Sequence, residues 1–468
     1  MSDWKEYKLD ELVEITSSKR IMRSEYQENG IPFFRSKEII ELNSGNEITT
    51  ELFISKERFL EIKNKFGTPS YGDILLTSVG TLGVPYFVNY KEEFYFKDGN
   101  LTWFRKFNNI LRSKYLYYWF SSPVGRKALK EITIGSTQPA LTITGLKSLT
   151  IHLPTLEEQD YIIEILDHLS SKIHLNTQIN QTLEQIAQAL FKSWFVDFYP
   201  VRAKVQALSD GLSLEQAELA AMQAISGKTP EELTALSQTQ PERYAELAET
   251  AKAFPCEMVE VDGVKVPKGW EVKPLPEIID FLEGPGIRNW QYTDEEDGIK
   301  FINIRCIQNG DLTLTTANKI TKEEAFGKYK HFQLEEDDIV VSTSGTLGRF
   351  AFVRKEHLPL SLNTSVIRFR PIKNKSTLGF IAGFVENQLQ HELEIRASGS
   401  AQRNFGPTHL KQISLLLPNF KLLELHQKYA SSLFEKRKQL LSEIDVLKDT
   451  RDLLLPKLLN GEFIKWKT

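Results

Sequence analysis

The chain has 468 residues, of which 41% are hydrophobic and 26% are charged, and its formal net charge is −4. This length exceeds the size that a single hydrophobic core usually reaches, and it predicts roughly two to four domains. The two cysteines exclude a scaffold built from disulfides. No apolar run approaches the roughly 20 residues that span a bilayer, and the first residues lack a signal's apolar region, so we expect a cytoplasmic protein without a membrane segment. The net charge neither indicates nor excludes nucleic-acid binding.

Paired segments recur along the chain in the same order, always about 265 residues apart. In chain order, the pairs are 4–15 with 270–281, 31–39 with 299–307, 72–83 with 337–348, 98–105 with 361–370, 114–130 with 380–393, 135–138 with 399–402, and 149–154 with 413–418. Most have the pattern of a strand, and the pair 114–130 with 380–393 has helical spacing. The order and constant shift indicate an internal duplication of an α/β domain.

The third pair is the most distinctive. Residues 72–83 and 337–348 each contain an acidic residue, three consecutive apolar residues, a Ser/Thr pair and Gly-Thr-Leu-Gly. A short apolar run bounded by turn residues predicts a buried strand that leads into a glycine loop. The loop lacks the lysine of a phosphate-binding P-loop, so we interpret its glycines as turn formers.

Each copy continues into a long helical pattern. Apolar positions alternate at spacings of four and three over about 30 residues, which is the heptad of a coiled coil. Two helices that each expose such a seam pack most economically on each other, and the duplication favours an antiparallel pair. The sequence therefore predicts an α+β fold, in which two duplicated α/β domains are separated by two long helices packed as an antiparallel coiled coil. The seam positions we select are Ile173, Asn176, Asn180, Leu183, Leu190 and Trp194 in the first helix and Leu433, Arg437, Leu440, Ile444, Leu447 and Leu454 in the second.

Aromatic residues near the end of the first helix exceed what a two-helix seam needs. They are Phe191, Trp194, Phe195 and Phe198. Two interpretations stay open, namely packing against the Ala- and Glu-rich segment 200–268 that follows, or docking of a partner subunit.

Catalytic motifs are missing from the pattern. Glu-x-Lys occurs at 61–63 and 271–273 without the Pro-Asp partner of a nuclease site, and no Asn/Asp-Pro-Pro-aromatic tetrapeptide of a base methylase is present. The eight histidines are scattered, without the spacing of a metal site. We therefore expect a binding protein with no catalytic residue, metal or cofactor of its own.

Basic and small polar residues concentrate at the predicted strand tips of both copies. Arginine pairs with guanine, Asn or Gln with adenine, and Ser, Thr or Lys with phosphate, which is the chemistry of duplex readout. Two unlike reading surfaces at a fixed separation would recognise two half-sites with an unread gap. The candidate DNA-binding residues are Arg20, Arg35, Ser36, Lys37, Thr77, Ser78, Arg105, Arg288, Asn289, Arg305, Ser342, Thr343, Arg349, Gln402 and Arg403.

Several motifs together resemble one known family. They are Gly-Trp-Glu-Val-Lys-Pro-Leu at 269–275, the paired Gly-Thr-Leu-Gly segments, the paired Gly-Ser-x-Gln…Leu-Pro segments, and the helical blocks 183–198 and 453–462. With these, the chain resembles the specificity (S) subunit of type I restriction-modification enzymes. The resemblance covers nearly the whole chain apart from 200–268, a segment that departs from the family's pattern of directly joined halves.

The resemblance implies a division of the chain and a set of partners. Target-recognition domains would occupy 1–155 and 269–418, spacer helices 156–199 and 419–468, and a helical insertion or linker 200–268. The chain would bind double-stranded DNA, each domain reading half of a bipartite target, and would itself bind no cofactor. Partners would be methylating (M) subunits, expected in two copies, and restriction (R) subunits, and the assembled complex would use S-adenosylmethionine, ATP and Mg.

Two hypotheses from other classes remain at this point. One is a single-chain restriction enzyme with its own catalytic parts, against which the missing motifs argue. The other is a duplicated scaffold that binds proteins.

Overall fold

The computed structural model describes residues 4–44, 48, 50–135, 137–308, 310–344, 348–396 and 405–462. The chain divides into two compact units. Unit 1 comprises Met1–Gln178 and Leu441–Thr468, and unit 2 comprises Ile179–Leu440. Each unit therefore combines one copy of the repeat with a part of each long helix.

Unit 1 contains the first set of strands and short helices. Its strands are β1 (Lys5–Lys8), β2 (Glu14–Thr16), β3 (Ile31–Phe34), β4 (Phe53–Ile54), β5 (Ile74–Thr77), β6 (Pro85–Phe87), β7 (Tyr95–Phe96), β8 (Leu101–Arg105) and β9 (Thr150–Leu153). Its short helices are α1 (Leu9–Leu12), α2 (Ser36–Asn43), α3 (Lys56–Phe66), α4 (Ser113–Ser121), α5 (Pro123–Glu131) and α6 (Ile143–Ser148).

Three sheets organise unit 1. A four-stranded antiparallel sheet has the order β2-β8-β5-β6, a three-stranded sheet has the order β4-β3-β7 with β3 and β7 parallel, and β1 pairs with β9. Ile74 and Leu76 belong to one apolar cluster and Leu75 to another. Because both faces of β5 are covered, its sequence is a continuous apolar run rather than an alternating one.

Unit 2 repeats these elements. Its strands are β10 (Met258–Val261), β11 (Val264–Pro267), β12 (Glu271–Pro274), β13 (Ile279–Glu283), β14 (Ile299–Ile302), β15 (Ile307–Gln308), β16 (Asp311–Leu312), β17 (Asn318–Ile320), β18 (Ile339–Ser342), β19 (Phe350–Phe352), β20 (Leu360–Leu362), β21 (Val366–Pro371) and β22 (Ser414–Leu417). The corresponding sheet orders are β13-β21-β18-β19, β17-β14-β20 and β12-β22, again with one parallel pair, β14 and β20. The predicted duplication is thus confirmed strand by strand.

The long helices are α7 (Leu156–Phe191) and α16 (Phe420–Leu459). Within unit 1, Lys172 of α7 forms an ion pair with Glu443 of α16, with 3.3 Å between the charged atoms. Ile162, earlier in α7, shares an apolar cluster with Leu458, later in α16. Positions that advance along α7 therefore retreat along α16, and this part of the helix pair is antiparallel.

The same direction holds in the helix segments of unit 2. Glu184 of α7 lies 3.3 Å from Arg437 of α16, and the ring of Phe191 contacts that of His426, earlier in α16. The predicted antiparallel helix pair is confirmed by both units, each taken separately.

The first long helix ends differently from the prediction. The predicted seam of this helix runs to Trp194, whereas α7 gives way at Lys192 to a short π-helical segment, Lys192–Val196. Phe198 then adopts a left-handed conformation, with φ of 56°, and a new helix begins. Pro200 lies in the first turn of that helix, where its missing N–H and fixed φ carry no penalty.

The segment after this break forms four helices in a row. They are α8 (Tyr199–Ser209), α9 (Leu214–Ser226), α10 (Pro230–Thr239) and α11 (Pro241–Ala253), followed by the β10–β11 hairpin. Lys204 is buried and its Nζ donates to the carbonyl oxygens of Ala251 and Phe254, at 3.0 and 2.7 Å. A lysine placed on the last carbonyls of α11 stabilises that helix end and fastens α8 to it.

The remaining helices of unit 2 lie within the second copy of the repeat. They are α12 (Lys322–Phe326), α13 (Leu378–Phe384), α14 (Gln390–Arg396) and α15 (Pro407–Leu410). Among the described residues of the whole chain, no helix is long and apolar enough to cross a membrane.

Candidate nucleic-acid interface

In unit 1, several loops meet at one end of the four-stranded sheet. The backbone N–H of Ser78, just after β5, donates to the carbonyl of Asn100 at 2.8 Å, and the carbonyl of Ser78 accepts from Leu141 at 3.0 Å. Lys97, just after β7, donates to the carbonyl of Phe34. The backbone N–H of Lys19 donates to Tyr95 Oη at 2.6 Å. We call this surface the loop end of unit 1, formed by segments 17–26, 35–37, 78–83, 97–100 and 137–141.

Unit 2 has the same arrangement. Thr343 donates its N–H to the carbonyl of Ser365, and its own carbonyl accepts from Phe405, both at 3.0 Å. Gly284 has no side chain because a Cβ would lie 2.3 Å from the carbonyl oxygen of Asn363. The loop end of unit 2 is formed by segments 284–292, 303–305, 343–344, 348–349, 363–365 and 405.

The chain segments next to the two recurring motifs are therefore neighbours in the fold. In both copies a backbone hydrogen bond joins the segment after the Gly-Thr-Leu-Gly strand to the segment after Gly-Ser-x-Gln, through Ser78 and Leu141 or through Thr343 and Phe405. These flanking segments close the loop end in both copies.

The structure places four of the candidate DNA-binding residues in the interior. Thr77, Ser78, Ser342 and Thr343 are all buried. Thr77 Oγ1 accepts from the N–H of Val84 at 2.9 Å, and Ser78 Oγ lies 2.7 Å from Thr102 Oγ1. These hydroxyls are not accessible to DNA in this structure. Its geometry therefore argues against the predicted contacts between these four side chains and DNA.

Two candidate arginines are engaged by carboxylates of the same unit. Arg35 binds Glu38, whose side chain is fully buried, and thereby closes the first turn of α2. Arg105 donates to Glu14 and stacks on Trp103, 4.4 Å from the ring centre. Hydrogen bonds from Lys106 and Arg105 lower the pKa of the Glu14 carboxyl, which keeps it charged as their partner. Both arginines thus hold the fold together.

Seven further candidates lie at the loop ends. Ser36 is half-buried, and its Oγ lies 3.5 Å from the carbonyl of Asn100. The exposed ones are Arg20, Lys37, Arg288, Asn289, Arg305 and Arg349. Gln402 and Arg403 lie outside the described residues. For the exposed group, DNA contact stays a prediction that the geometry permits.

One exposed residue was missed by the sequence prediction. Trp290 is 80% exposed and follows Asn289 in a short 3₁₀ turn, Asn289–Gln291, at the loop end of unit 2. The equivalent turn of unit 1, Arg23–Glu25, has no aromatic residue. An exposed tryptophan beside an arginine and an asparagine offers a flat apolar surface to a base or sugar. The Arg-Asn-Trp tripeptide was the available signal.

The predicted seam positions face the interior of their units. All twelve are buried or half-buried, while Trp194 is fully buried. The Trp194 ring lies 5.0 Å from that of Phe254, at the end of α11, and Phe195 lies 5.1 Å from Phe380. The cluster packs inside unit 2 and leaves Trp194 no surface for a partner, so packing is favoured over the docking interpretation.

Arg437 is the seam residue with the most extensive polar contacts. Its guanidinium lies 3.0 Å from Glu386 and 3.3 Å from Glu184, and it stands over the ring of Phe352. Glu386 belongs to the π-helical segment Val385–Leu389 that follows α13, so Arg437 joins the globular part of unit 2 to both long helices. Burial raises the pKa of Glu386 to about 7, although the positive charge of Arg437 acts in the opposite direction.

Comparison with known proteins decides the family. The model of the type I restriction modification DNA specificity domain matches residues 1–185 and 267–439. The chain belongs to the type I restriction-modification DNA specificity family. It is 39% identical over 480 residues to the type I restriction enzyme HindI specificity subunit of Haemophilus influenzae, covering 99% of this chain and 100% of that protein.

More distant relatives agree with this assignment. The MjaIX specificity subunit of Methanocaldococcus jannaschii is 26% identical over 482 residues, covering 98% of this chain and 93% of that one. The crystal structure of a type I S subunit from M. genitalium matches with a TM-score of 0.51 at 18% identity, over 97% of this chain and 96% of that one, which shows a shared fold. Among the described residues, no group of three or more His, Cys, Asp or Glu side chains is placed to hold a metal ion.

Proposed function

We propose that this chain supplies the DNA sequence specificity of a type I restriction-modification complex. Residues 1–155 and 269–418 would be two target-recognition domains, each reading one half of a bipartite target for both methylation and restriction. Segments 156–199 and 419–468 would be the spacer helices, and 200–268 a helical insertion. The chain would be a recognition subunit without catalytic activity, acting in the cytoplasm.

One observation carries this proposal. Two loop ends are closed by equivalent backbone hydrogen bonds yet present different side chains. Unit 1 exposes Arg20 and Lys37, whereas unit 2 exposes Arg288, Asn289 and Trp290. Like scaffolds with unlike reading surfaces are what recognition of two different half-sites requires.

Partners supply the chemistry in this proposal. Methylating subunits, expected in two copies, would transfer methyl groups from S-adenosylmethionine to adenine, and restriction subunits would cleave DNA with ATP and Mg. The exposed outer faces of α7 and α16, where Leu175 and Val446 are 49% and 64% exposed, are the surfaces we expect the methylating subunits to cover.

The decisive experiment combines purified proteins and maps adenine methylation on DNA. A modified bipartite site that arises only when this chain and a methylating subunit are both present supports the proposal. Methylation by this chain alone would identify a single-chain enzyme, and no methylation in any combination would leave a protein-binding scaffold.

The spacer helices offer a second test. Deleting four residues within 170–185 removes about one helical turn of roughly 5.4 Å, which exceeds one base-pair step. We expect the tolerated gap between half-sites to change while both half-site sequences are retained. An unchanged gap in the methylation map would contradict the role of these helices as a spacer.

A further inference from the structure

The second recognition domain contains a positively charged pocket that the loop end does not include. It has a volume of about 660 Å³, and its charged and titratable lining residues are Lys328, Lys330, His331, Arg368, Arg370, Asp280 and Glu335. The volume is within the usual range for small-ligand sites.

Arg368 forms the floor of this pocket together with Arg370. Residues 367 and 369 of β21 belong to the main apolar cluster of unit 2, so by the alternation of a strand 368 and 370 point to the opposite face. Arg368 is only 6% exposed and pairs with Asp280. Its Nε, however, finds no acceptor among the described residues.

A buried guanidinium N–H without an acceptor is unfavourable, because it has lost the hydrogen bond that water gives it in the unfolded chain. Asp280 pairs with Arg368, and Asp338 and Glu335 both pair with Arg370, so the surplus positive charge of the pocket comes from Lys328 and Lys330. Lys328, Lys330 and His331 are exposed at the rim, and within the described chain none of them has a carboxylate partner. The pocket therefore combines an unused buried donor with surplus positive charge.

The equivalent position of unit 1 carries different side chains. Trp103 takes the place of Arg368, and its indole N–H donates to Asp73 at 2.9 Å. The residues 265 positions before Lys328 and Lys330, the shift that relates β5 to β18, are Lys63 and Lys65, and both pair with carboxylates, Glu93 and Glu61. These two lysines are thus paired in unit 1, whereas Lys328 and Lys330 have no carboxylate partner among the described residues of unit 2.

We propose that this pocket binds a phosphate group. Lysine ammonium groups hold phosphate oxygens, and the Arg368 Nε, which has no acceptor among the described residues, would supply a further donor. The group comes from one of two sources, the backbone of the duplex or free phosphate.

The duplex is within reach of the pocket, because β21 starts at the loop end with Val366. Arg368 and Arg370 follow two and four residues later, about 7 and 13 Å along the strand. That distance corresponds to about two to four base-pair steps beyond the loop end. The duplex source rests on the proposed function.

The test uses the full chain assembled with its methylating partner and the variant Lys328→Gln/Lys330→Gln. These lysines are exposed, so the variant avoids disturbing the buried Arg368. The matched control is Lys63→Gln/Lys65→Gln, the same change of charge at the equivalent positions of unit 1. Affinity for a duplex that contains the methylated target is measured by fluorescence anisotropy at several salt concentrations.

If the phosphate comes from the duplex, the pocket variant binds about 5–10-fold more weakly, and the slope of log K against log salt becomes shallower by about 1–2, while the control keeps the parent values. If it is free, DNA affinity is unchanged, but inorganic phosphate at constant ionic strength raises the melting temperature of the parent chain and not that of the pocket variant. Neither effect, or equal losses in the pocket variant and the control, would overturn the proposal. Methylation at saturating complex, which is scored separately, reports whether the proposed function itself stands.

Discussion

The two recognition domains share a strand order but bury different polar groups. The strand pair β5–β8 places Trp103 opposite Leu75, and the equivalent pair β18–β21 places Arg368 opposite Val340. Apolar residues at matching positions keep the sheets the same, because the alternation and burial of strand side chains determine which face packs. Polar positions carry no such constraint once their hydrogen bonds are satisfied, so the copies could diverge there.

The attachment of each domain to the helices differs in the same way. In unit 1, Asp167 of α7 accepts from Tyr118 Oη at 2.7 Å and from Lys114 Nζ at 2.5 Å, at a half-exposed position. In unit 2, Arg437 of α16 is buried and binds Glu386, itself buried. The first attachment is a partly solvated hydrogen-bond pair, whereas the second is a buried ion pair, and the two should respond differently to mutation.

The largest effect is expected from Arg437→Ala. Removing one partner of a buried ion pair leaves Glu386 without compensation, and we expect the free energy of unfolding to fall by about 3–5 kcal/mol, measured by urea denaturation at pH 8. Ile173→Ala, at the equivalent position of α7, should cost about 1–2 kcal/mol. Arg437→Met combined with Glu386→Leu should recover most of the loss. Equal costs for Arg437→Ala and Ile173→Ala would contradict the comparison.

Next in size is the pH dependence that Glu386 confers. Its pKa is about 7 in the fold and near the ordinary glutamate value when unfolded. Because the folded pKa is raised, the protonated form stabilises the fold below about pH 4.5, and that stability is lost as the pH rises through 7. Between pH 5 and 8, the wild type should lose up to about 3 kcal/mol relative to Glu386→Gln. Parallel stability profiles of the two proteins across this range would refute the titration.

The sequence predicts a structural feature when the interactions that form it lie close together in the chain. The strands after Gly72 and Asp337 were identified because a buried strand leaves a run of apolar residues in the sequence itself. The burial of Thr77 and Ser78 was not predicted, because it depends on contacts with Val84 and Thr102, and only the folded sheet brings those residues close.

Arg105 illustrates the same limit over a longer distance. Its partner Glu14 is 91 residues away in the chain, so a strand-tip arginine that binds DNA and one that binds a carboxylate have the same local pattern. Arg288 and Arg305 are exposed, so the structure permits the contact with DNA that the sequence pattern predicts for them.

Substitutions at the loop end of one unit should change the DNA sequence recognised at only one half-site. Arg305→Ala or Arg288→Ala should weaken recognition at one half-site by about 1–3 kcal/mol and relax its sequence, because a base-contacting arginine discriminates between bases. The other half-site should keep its sequence. Methylome sequencing of cells that express each variant with the methylating subunit gives both motifs at once. If Arg288→Ala or Arg305→Ala altered only the half-site that Arg20→Ala also alters, the assignment of one half-site to each domain would be contradicted.

The smallest effect is expected in unit 1 from Asp167→Ala. The substitution removes an acceptor from Tyr118 and Lys114. Lys114 is half-exposed, so water replaces its lost hydrogen bond, and the buried Tyr118 hydroxyl keeps Ser170 Oγ, 3.5 Å away, as a partner. We therefore expect a loss of about 1 kcal/mol in urea denaturation, and less at high salt, since Lys114 contributes a charged partner. Tyr118→Phe, which removes only the hydroxyl, should cost no more. A loss near that of Arg437→Ala would mean that both domains are fastened with equal strength, in spite of the different burial of their ion pairs.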